Sequence, residues 1–408
     1  MAGPPPDECS LTARWVFPVD GPPIERGVVT VLGEQIYAVE PHGKRTPDID
    51  LGNAAILPGL VNAHTHLDLT GLRGKCPPSP DFTGWLRQVI AHRRTVTPEQ
   101  TQADIRAGIE ECLRVGTTLV GDIASGGASW DALAEAPLRA VVYYELIGLP
   151  RERAAAALEG WRWWHRSLPE LADCRPGVSP HAPYSARREL FSLGRTSLQM
   201  PIAIHLAESR AELMLLGDRC GPFVEFLKQV GAWDPAGLVE SPEAILGAVD
   251  GANPIVFVHG NYLPADTPVP LNGTIVYCPR THAAFGHPLH PFRGFLARGV
   301  RVALGTDSLA SNPDLDLLAE ARFAHLHYPD FPGTGLLWMM TLSGAEALGW
   351  DDTTGSLTPG KSADLVVLPL PDAETDDPHR LIFESDAAVS AVMFRGRWRE
   401  RQTASPAG

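Results

Sequence analysis

His64 and His66 stand two residues apart at the end of PGLVNAHTH, residues 58 to 66. They follow a short apolar run, Ile56 to Val61, that reads as a strand. Alternate residues of a strand share a face, so the two imidazoles would project side by side near its C-terminal end. A strand end of that kind can offer two nitrogen ligands to one metal ion. A bare H-x-H is also what chance places on a surface, and the partners further along decide between the two.

Those partners are polar residues at the ends of later candidate strands, where a core would not tolerate them unpaired. They are His181, His205, Glu208, His259 and Asp307. A lone histidine in such a place is usually a hydrogen-bonded structural residue. Together with the H-x-H pair, they mark one rim of a barrel, and the C-terminal face of a parallel barrel is where active sites sit.

The elements that must position them alternate between strand and helix. Candidate strands run over 117 to 123, 139 to 147, 176 to 181, 201 to 208, 255 to 260, 274 to 279 and 300 to 307, and the first histidine strand makes eight. The clearest helix runs from Pro98 to Val115. Thr97 suits its N-cap, Pro98 its first turn and Gly116 its stop, with Ile105, Ile109, Cys112 and Leu113 at helical spacing. Segments 150 to 168 and 314 to 328 are also helical, while 71 to 83, 264 to 272 and 287 to 291 read as excursions at the barrel mouth. Eight strands alternating with helices argue for an α/β fold, a (β/α)8 TIM barrel.

Both chain ends differ from this middle. Residues 1 to 8 read as a loose Pro-rich tail. ARWVFP, GVVTVLG and QIYAVEP near the start, and the segments 355 to 370 and 387 to 400 near the end, are short strands with turn residues. Each set alone is too small to bury much of a core, so the two are expected to pair. The expected layout is a discontinuous β-sandwich domain (1–57 and 350–408) around a catalytic barrel domain (58–349).

Of the 408 residues, 34 are basic and 48 acidic, a net charge of −14. Such a balance disfavours a nucleic-acid or membrane-surface partner and leaves a small-molecule substrate as the expected one. A homodimer is compatible with the composition, although ten tryptophans and an acidic surface pick out no dimer patch. The six cysteines form no C-x-x-C pair and read as reduced thiols of a cytoplasmic protein. The first residues lack the pattern of a signal peptide, and no stretch is apolar for eighteen residues.

PGLVNAHTHLDLTGLRG, SPHAPYS, HLAES, VHGN, CPRTHAAFGH, GTDSLASN and GSLTPGKSADLVVL, in this order, resemble the amidohydrolase superfamily. The resemblance is to its branch of metal-dependent deaminases and chlorohydrolases, and the CPRTH segment resembles the aminodeoxyfutalosine deaminase group more than the adenosylhomocysteine deaminase group. It implies that His64, His66, His205 and Asp307 hold one divalent ion, Zn²⁺ first and Fe²⁺ as the alternative. It also implies that Asp307 takes a proton from the attacking water, that His259 orients that water and that Glu208 shuttles protons. Binuclear relatives carry a lysine near strand four. Here Lys44, Lys75, Lys228 and Lys361 all lie elsewhere, which argues for a single metal.

Substrate contacts are less determined. By resemblance His181 donates to a ring nitrogen, the alternative being an exposed residue beside a capping Ser185. Trp85 either lies over a flat base or fills a core. Asp68 either bonds a sugar hydroxyl or supports His66 from behind. Arg280 offers a planar fork to a substrate carboxylate, such as the benzoate of aminodeoxyfutalosine, or makes an ion pair at the barrel mouth. The implied reaction is hydrolytic deamination of an aminated purine, most plainly the adenine of a modified nucleoside. The rivals are guanine, adenosylhomocysteine or methylthioadenosine deamination, chloride displacement, ring-amide hydrolysis, and a barrel that has lost catalysis and serves as a scaffold.

Overall fold

The computed structural model describes residues 8–195, 200–249 and 253–399. Residues 1 to 7 of the expected tail lie outside these, whereas Glu8 opens the strand Glu8–Thr12.

Eight parallel strands form the barrel: Leu60–Thr65, Thr117–Ser125, Arg139–Leu146, Cys174–Pro180, Ile202–Leu206, Ile255–His259, Gly273–Tyr277 and Arg301–Leu304. Each pairs with the next in sequence. The eighth meets the first through the carbonyl of His64, which accepts the N–H groups of Thr306 and Asp307 at 3.1 Å each. Inside, small and branched residues such as Val61, Ala63, Leu119, Val141, Val256 and Ala303 fill the lumen. Helices cover the outside. The helix Pro98–Arg114 starts as its sequence predicts, with Thr97 Oγ1 accepting the N–H of Gln100, and buries Ile105, Ile109, Cys112 and Leu113 against the sheet. The alternation has one gap, since the link from the sixth strand to the seventh carries turns and no helix.

The apolar run from Ile56 to Val61 is not one strand. It divides at Gly59, where a Cβ would stand 2.0 Å from Thr118 Oγ1. Ala54–Pro58 pairs antiparallel with Leu365–Pro369, and Leu60–Thr65 begins the barrel. Hydrophobicity runs through the junction because both strands are buried, so pattern alone does not reveal the change of sheet.

Two mixed sheets built from the chain ends complete the fold. A six-stranded sheet combines 15–16, 24–25 and 54–58 with 365–369, 391–394 and 397–398. A four-stranded sheet from 8–12, 28–32, 35–40 and 49–50 packs against it over Leu11, Val29, Ile36, Ile56, Leu365 and Met393. Arg139, at the start of the third barrel strand, ties this unit to the barrel. Its guanidinium pairs with Asp364 and donates to Ser362 Oγ at 3.0 Å, and the Arg139 and Asp364 side chains are 4% and 0% exposed. Removing one partner of such a buried pair leaves an uncompensated charge. Asp364→Ala is therefore expected to cost about 3 kcal/mol or more in a urea titration. Replacing Asp364 and Arg139 together with apolar residues should cost less than that single change.

Candidate metal centre and cavity

Three imidazoles and a carboxylate from three barrel strands, the first, fifth and eighth, converge at the C-terminal rim. His64 ends the first strand, and His66 follows it in extended conformation. Their rings stand 4.9 Å apart, side by side as the two-residue spacing predicts. His205, from the fifth strand, brings Nε2 to 3.2 Å from His66 Nε2. Asp307, just past the eighth strand, places Oδ1 3.5 Å from His64 Nε2 and 3.8 Å from His66 Nε2. Ligand atoms that share a tetrahedral zinc at its usual bond lengths stand about 3.3 Å apart.

The chemistry of the donors fits a cation as well. Both ring nitrogens of His64 are buried without a hydrogen-bond partner. Buried polar atoms of that kind call for an explanation, and a metal ion supplies one. Burial, and then their neighbouring imidazoles, push the pKa values of His66 and His205 well below the ordinary histidine value, so both rings keep lone pairs to offer. His205 Nδ1 is engaged by the His181 carbonyl at 3.0 Å, which leaves Nε2 as its ligand atom. For Asp307, burial pushes the pKa up, but the His64 ring 3.5 Å away, the charge of His259 and the Ser311 hydroxyl outweigh it, and the group sits below the ordinary value. His64, His205 and His259 form a second trio with ligand atoms within 4.8 Å of one another.

Glu208 and His259 meet beside this cluster, with Oε1 3.3 Å from Nε2. Burial, reinforced by Asp307 and Glu212, raises the Glu208 pKa well above the ordinary value, and burial lowers that of His259. The two carboxyls of the site are thus pushed in opposite directions by their surroundings, Glu208 toward holding its proton and Asp307 toward losing it. Ala207, His259 and Asp307, all at strand ends, adopt left-handed backbone with φ of 50°, 70° and 58°. Non-glycine residues seldom do so, and such outliers gather at functional sites.

A cavity of about 350 Å³ opens from the cluster. His66, His205, Glu208, His259 and Asp307 line its inner end, and His181, Ser185, Tyr184, Trp85, Arg93 and Glu145 line its walls. Exposed Arg94, Arg153 and Ile147 mark the mouth. The roof is shared by the helices Phe82–Thr95 and Pro222–Gln229, joined by bonds from Arg87 to Gln229 Oε1 at 3.1 and 2.9 Å.

His181 is on the cavity wall, with Nδ1 2.6 Å from Ser185 Oγ and Nε2 3.7 Å from Glu145 Oε1. Trp85 is both a core residue and a wall. Its indole N–H donates to the carbonyls of Cys76 and Ala310, so only its ring surface faces a ligand. Asp68 is drawn away from the cavity, paired at 3.1 Å with Arg93. Arg280 is not among the cavity's lining residues, and of the two roles open to it, a substrate carboxylate anchor or an ion pair at the barrel mouth, its contacts are those of the second. Its Nε donates to Glu320 and its Nη2 to Asp314, both at 2.7 Å, leaving no free fork.

Arg93 and Glu145 are charged wall residues that no sequence motif singles out. Arg93 Nη1 donates to Glu145 at 2.8 Å. Glu145 ends the third strand, so the strand-end rule that found the histidines would have found it. Arg93 gives no such signal, because the basic run His92-Arg93-Arg94 resembles an ordinary helix C-terminus.

An eight-stranded barrel with a buried His/Asp cluster at its C-terminal rim is a barrel of the class that can hold a metal ion among its strand ends. The chain belongs to the amidohydrolase family, whose model matches residues 55–399. It is 32% identical over 377 residues to a 5-methylthioadenosine/S-adenosylhomocysteine deaminase of Moorella thermoacetica, covering 86% of this chain and 83% of that one. It is 27% identical over 341 residues to an aminodeoxyfutalosine deaminase of Nitratiruptor, covering 79% and 81%. A solved adenosine deaminase of Xanthomonas campestris with bound zinc superposes with a TM-score of 0.75 at 28% identity, covering 95% and 92%. The chain is thus a hydrolase of carbon–nitrogen bonds other than peptide bonds. Elemental analysis of the purified protein should find one divalent ion per chain, and His205→Ala or Asp307→Ala should lose it. Two tightly held ions would contradict the single-metal reading.

Proposed function

We propose that this chain deaminates the adenine of a modified nucleoside that carries a carboxylate beyond its sugar, with aminodeoxyfutalosine the best fit. The observation that carries the reading is the placement of Glu208, against His259, and of Asp307, against His64 and His66, at the closed end of a nucleoside-sized cavity, with burial favouring the protonated form of the first and the histidines the ionised form of the second. A divalent ion held by His64, His66, His205 and Asp307, zinc by preference, would bring the pKa of water to about 7.

The side chains do the rest. Asp307 accepts a proton from the attacking water, and His259 orients it and steadies the charge that builds on attack. Glu208 protonates the ring nitrogen, so negative charge need not accumulate there, and then helps a proton reach the departing ammonia. His181 offers Nε2 to another ring nitrogen. Trp85 lays its ring against the base.

The mouth supports the carboxylate. Among the described residues Arg94 and Arg153 carry no ion pair, Arg153 Nη1 donating to the Val230 carbonyl at 3.4 Å, and Leu86, Ile90, Ile147 and Val230 surround them with apolar surface. An aryl carboxylate matches that combination. The similarity to methylthioadenosine/adenosylhomocysteine deaminases supports a second reading, but among the described residues the ammonium of adenosylhomocysteine would find no unpaired acid lining the mouth. The lining acids are Glu145, bound to Arg93, and Glu208 and Asp307 at the closed end.

Ammonia release should be compared for adenosine, methylthioadenosine, adenosylhomocysteine, guanine and aminodeoxyfutalosine. We expect the highest kcat/KM with aminodeoxyfutalosine. Arg153→Ala and Arg94→Ala should raise its KM by about tenfold each, the usual worth of a charge-assisted bond, and leave adenosine unaffected. Guanine as the fastest substrate, or no ammonia from any base with metal-replete protein, would overturn the reading.

A further inference from the structure

Glu208 lies in a turn between a strand and a helix, beyond the regular ladder, where the Ala207 carbonyl accepts the Tyr262 N–H at 3.1 Å. The fifth strand ends at Leu206, Ala207 is left-handed, and the helix Arg210–Asp218 begins after Ser209. A proton donor on such a segment needs its backbone fixed by something other than secondary structure.

Two side chains hold it. Glu212, which is 0% exposed, accepts the Ala207 N–H at 2.8 Å with Oε1 and the Glu208 N–H at 3.1 Å with Oε2. In the usual capping box the glutamate at this helix position turns back to the N-cap N–H. Ser209 Oγ does accept the Glu212 N–H at 3.2 Å, but the Glu212 carboxylate reaches past the cap to the two residues before it. On the other side, Asn261 Nδ2 donates to the Glu208 carbonyl at 3.0 Å. Asn261 is itself set by His282 Nδ1, 2.9 Å from its Oδ1, and His282 Nε2 lies 2.7 Å from the Pro288 carbonyl. Burial raises the Glu212 pKa to about 7, so an apolar surround makes its charge costly. Retaining a buried carboxylate there demands a return, and the two backbone N–H groups are what it serves.

The geometry points to Glu212 and Asn261 as positioning residues for Glu208, gripping the peptide on both sides of it so that its carboxyl stands against His259. Neither touches the cavity. This rests on the proton-shuttle reading of Glu208. The work of both is felt in the proton transfer alone, not in substrate binding or in the metal cluster.

The test is a double-mutant cycle on the metal-loaded enzyme with adenosine or aminodeoxyfutalosine, whichever turns over faster. Glu212→Gln keeps one acceptor and turns an amide against the second N–H. Asn261→Asp keeps the acceptor for His282 and removes the donor. In the otherwise native chain, each is expected to lower kcat by about tenfold or more, within the range of a misplaced general acid, with KM and bound metal within twofold. In a Glu208→Gln background, each should lower kcat no further. Equal losses in both backgrounds, a raised KM with kcat unchanged, or a loss of metal would overturn the positioning role and leave the shuttle intact. Full kcat in Glu208→Gln alone would sink the shuttle reading and this inference with it. The two variants lie on different elements, so failure of one to fold leaves the other to decide.

Discussion

One carbonyl oxygen joins the architecture of this protein to its chemistry. The His64 carbonyl accepts the N–H groups of Thr306 and Asp307, and that pair of bonds closes the barrel between its first and last strands. The same bonds bring the His64 ring and the Asp307 carboxylate, 243 positions apart in the chain, to 3.5 Å of each other. Asn62 reinforces the seam, its Oδ1 accepting the Thr306 N–H at 3.1 Å and its Nδ2 donating to Thr306 Oγ1 at 2.8 Å. Parallel strands all end on one rim, so closure also delivers His205 and His259 to the same point. The contacts that close the barrel are therefore also contacts that assemble the cluster.

The surroundings then divide labour among groups of similar type. Asp307 and Glu208 are both buried carboxyls within one site, yet their proton affinities move in opposite directions. Asp307 receives the Ser308 N–H at 2.7 Å, the Ser311 hydroxyl at 2.8 Å and the influence of two histidines. Glu208 has chiefly other carboxylates for electrostatic company. A recurrent device supports this. Polar side chains grip backbone beside functional residues, as Asp122 does when it accepts the Leu67 N–H at 2.8 Å, one residue after His66.

Much of this was legible in the chain. The barrel strands carry continuous apolar runs, and the histidines at their ends break those runs in a way that marks them. The H-x-H spacing alone foretells the shared face of His64 and His66. What could not be read is partnership across distance. Arg280 sits in the right kind of segment for a carboxylate anchor, but Asp314 and Glu320, over thirty residues away, claim it first. Arg93 looks like a helix-end cation until Glu145 and Asp68 are placed around it. The split at Gly59 hides for another reason. Two buried strands in succession share one hydrophobic signature, and only the contact with Thr118 shows why the chain turns there.

The left-handed backbone at Ala207, His259 and Asp307 has a consequence for how the sequence can drift. Each such residue costs roughly 1–2 kcal/mol that glycine would return. At His259 and Asp307 the side chain belongs to the reaction, so the relief is closed off. At Ala207 a methyl group is all that would be lost, and the turn would relax just where Glu208 needs it stiff. Selection for robustness and selection for turnover therefore pull in opposite directions at the same strand ends.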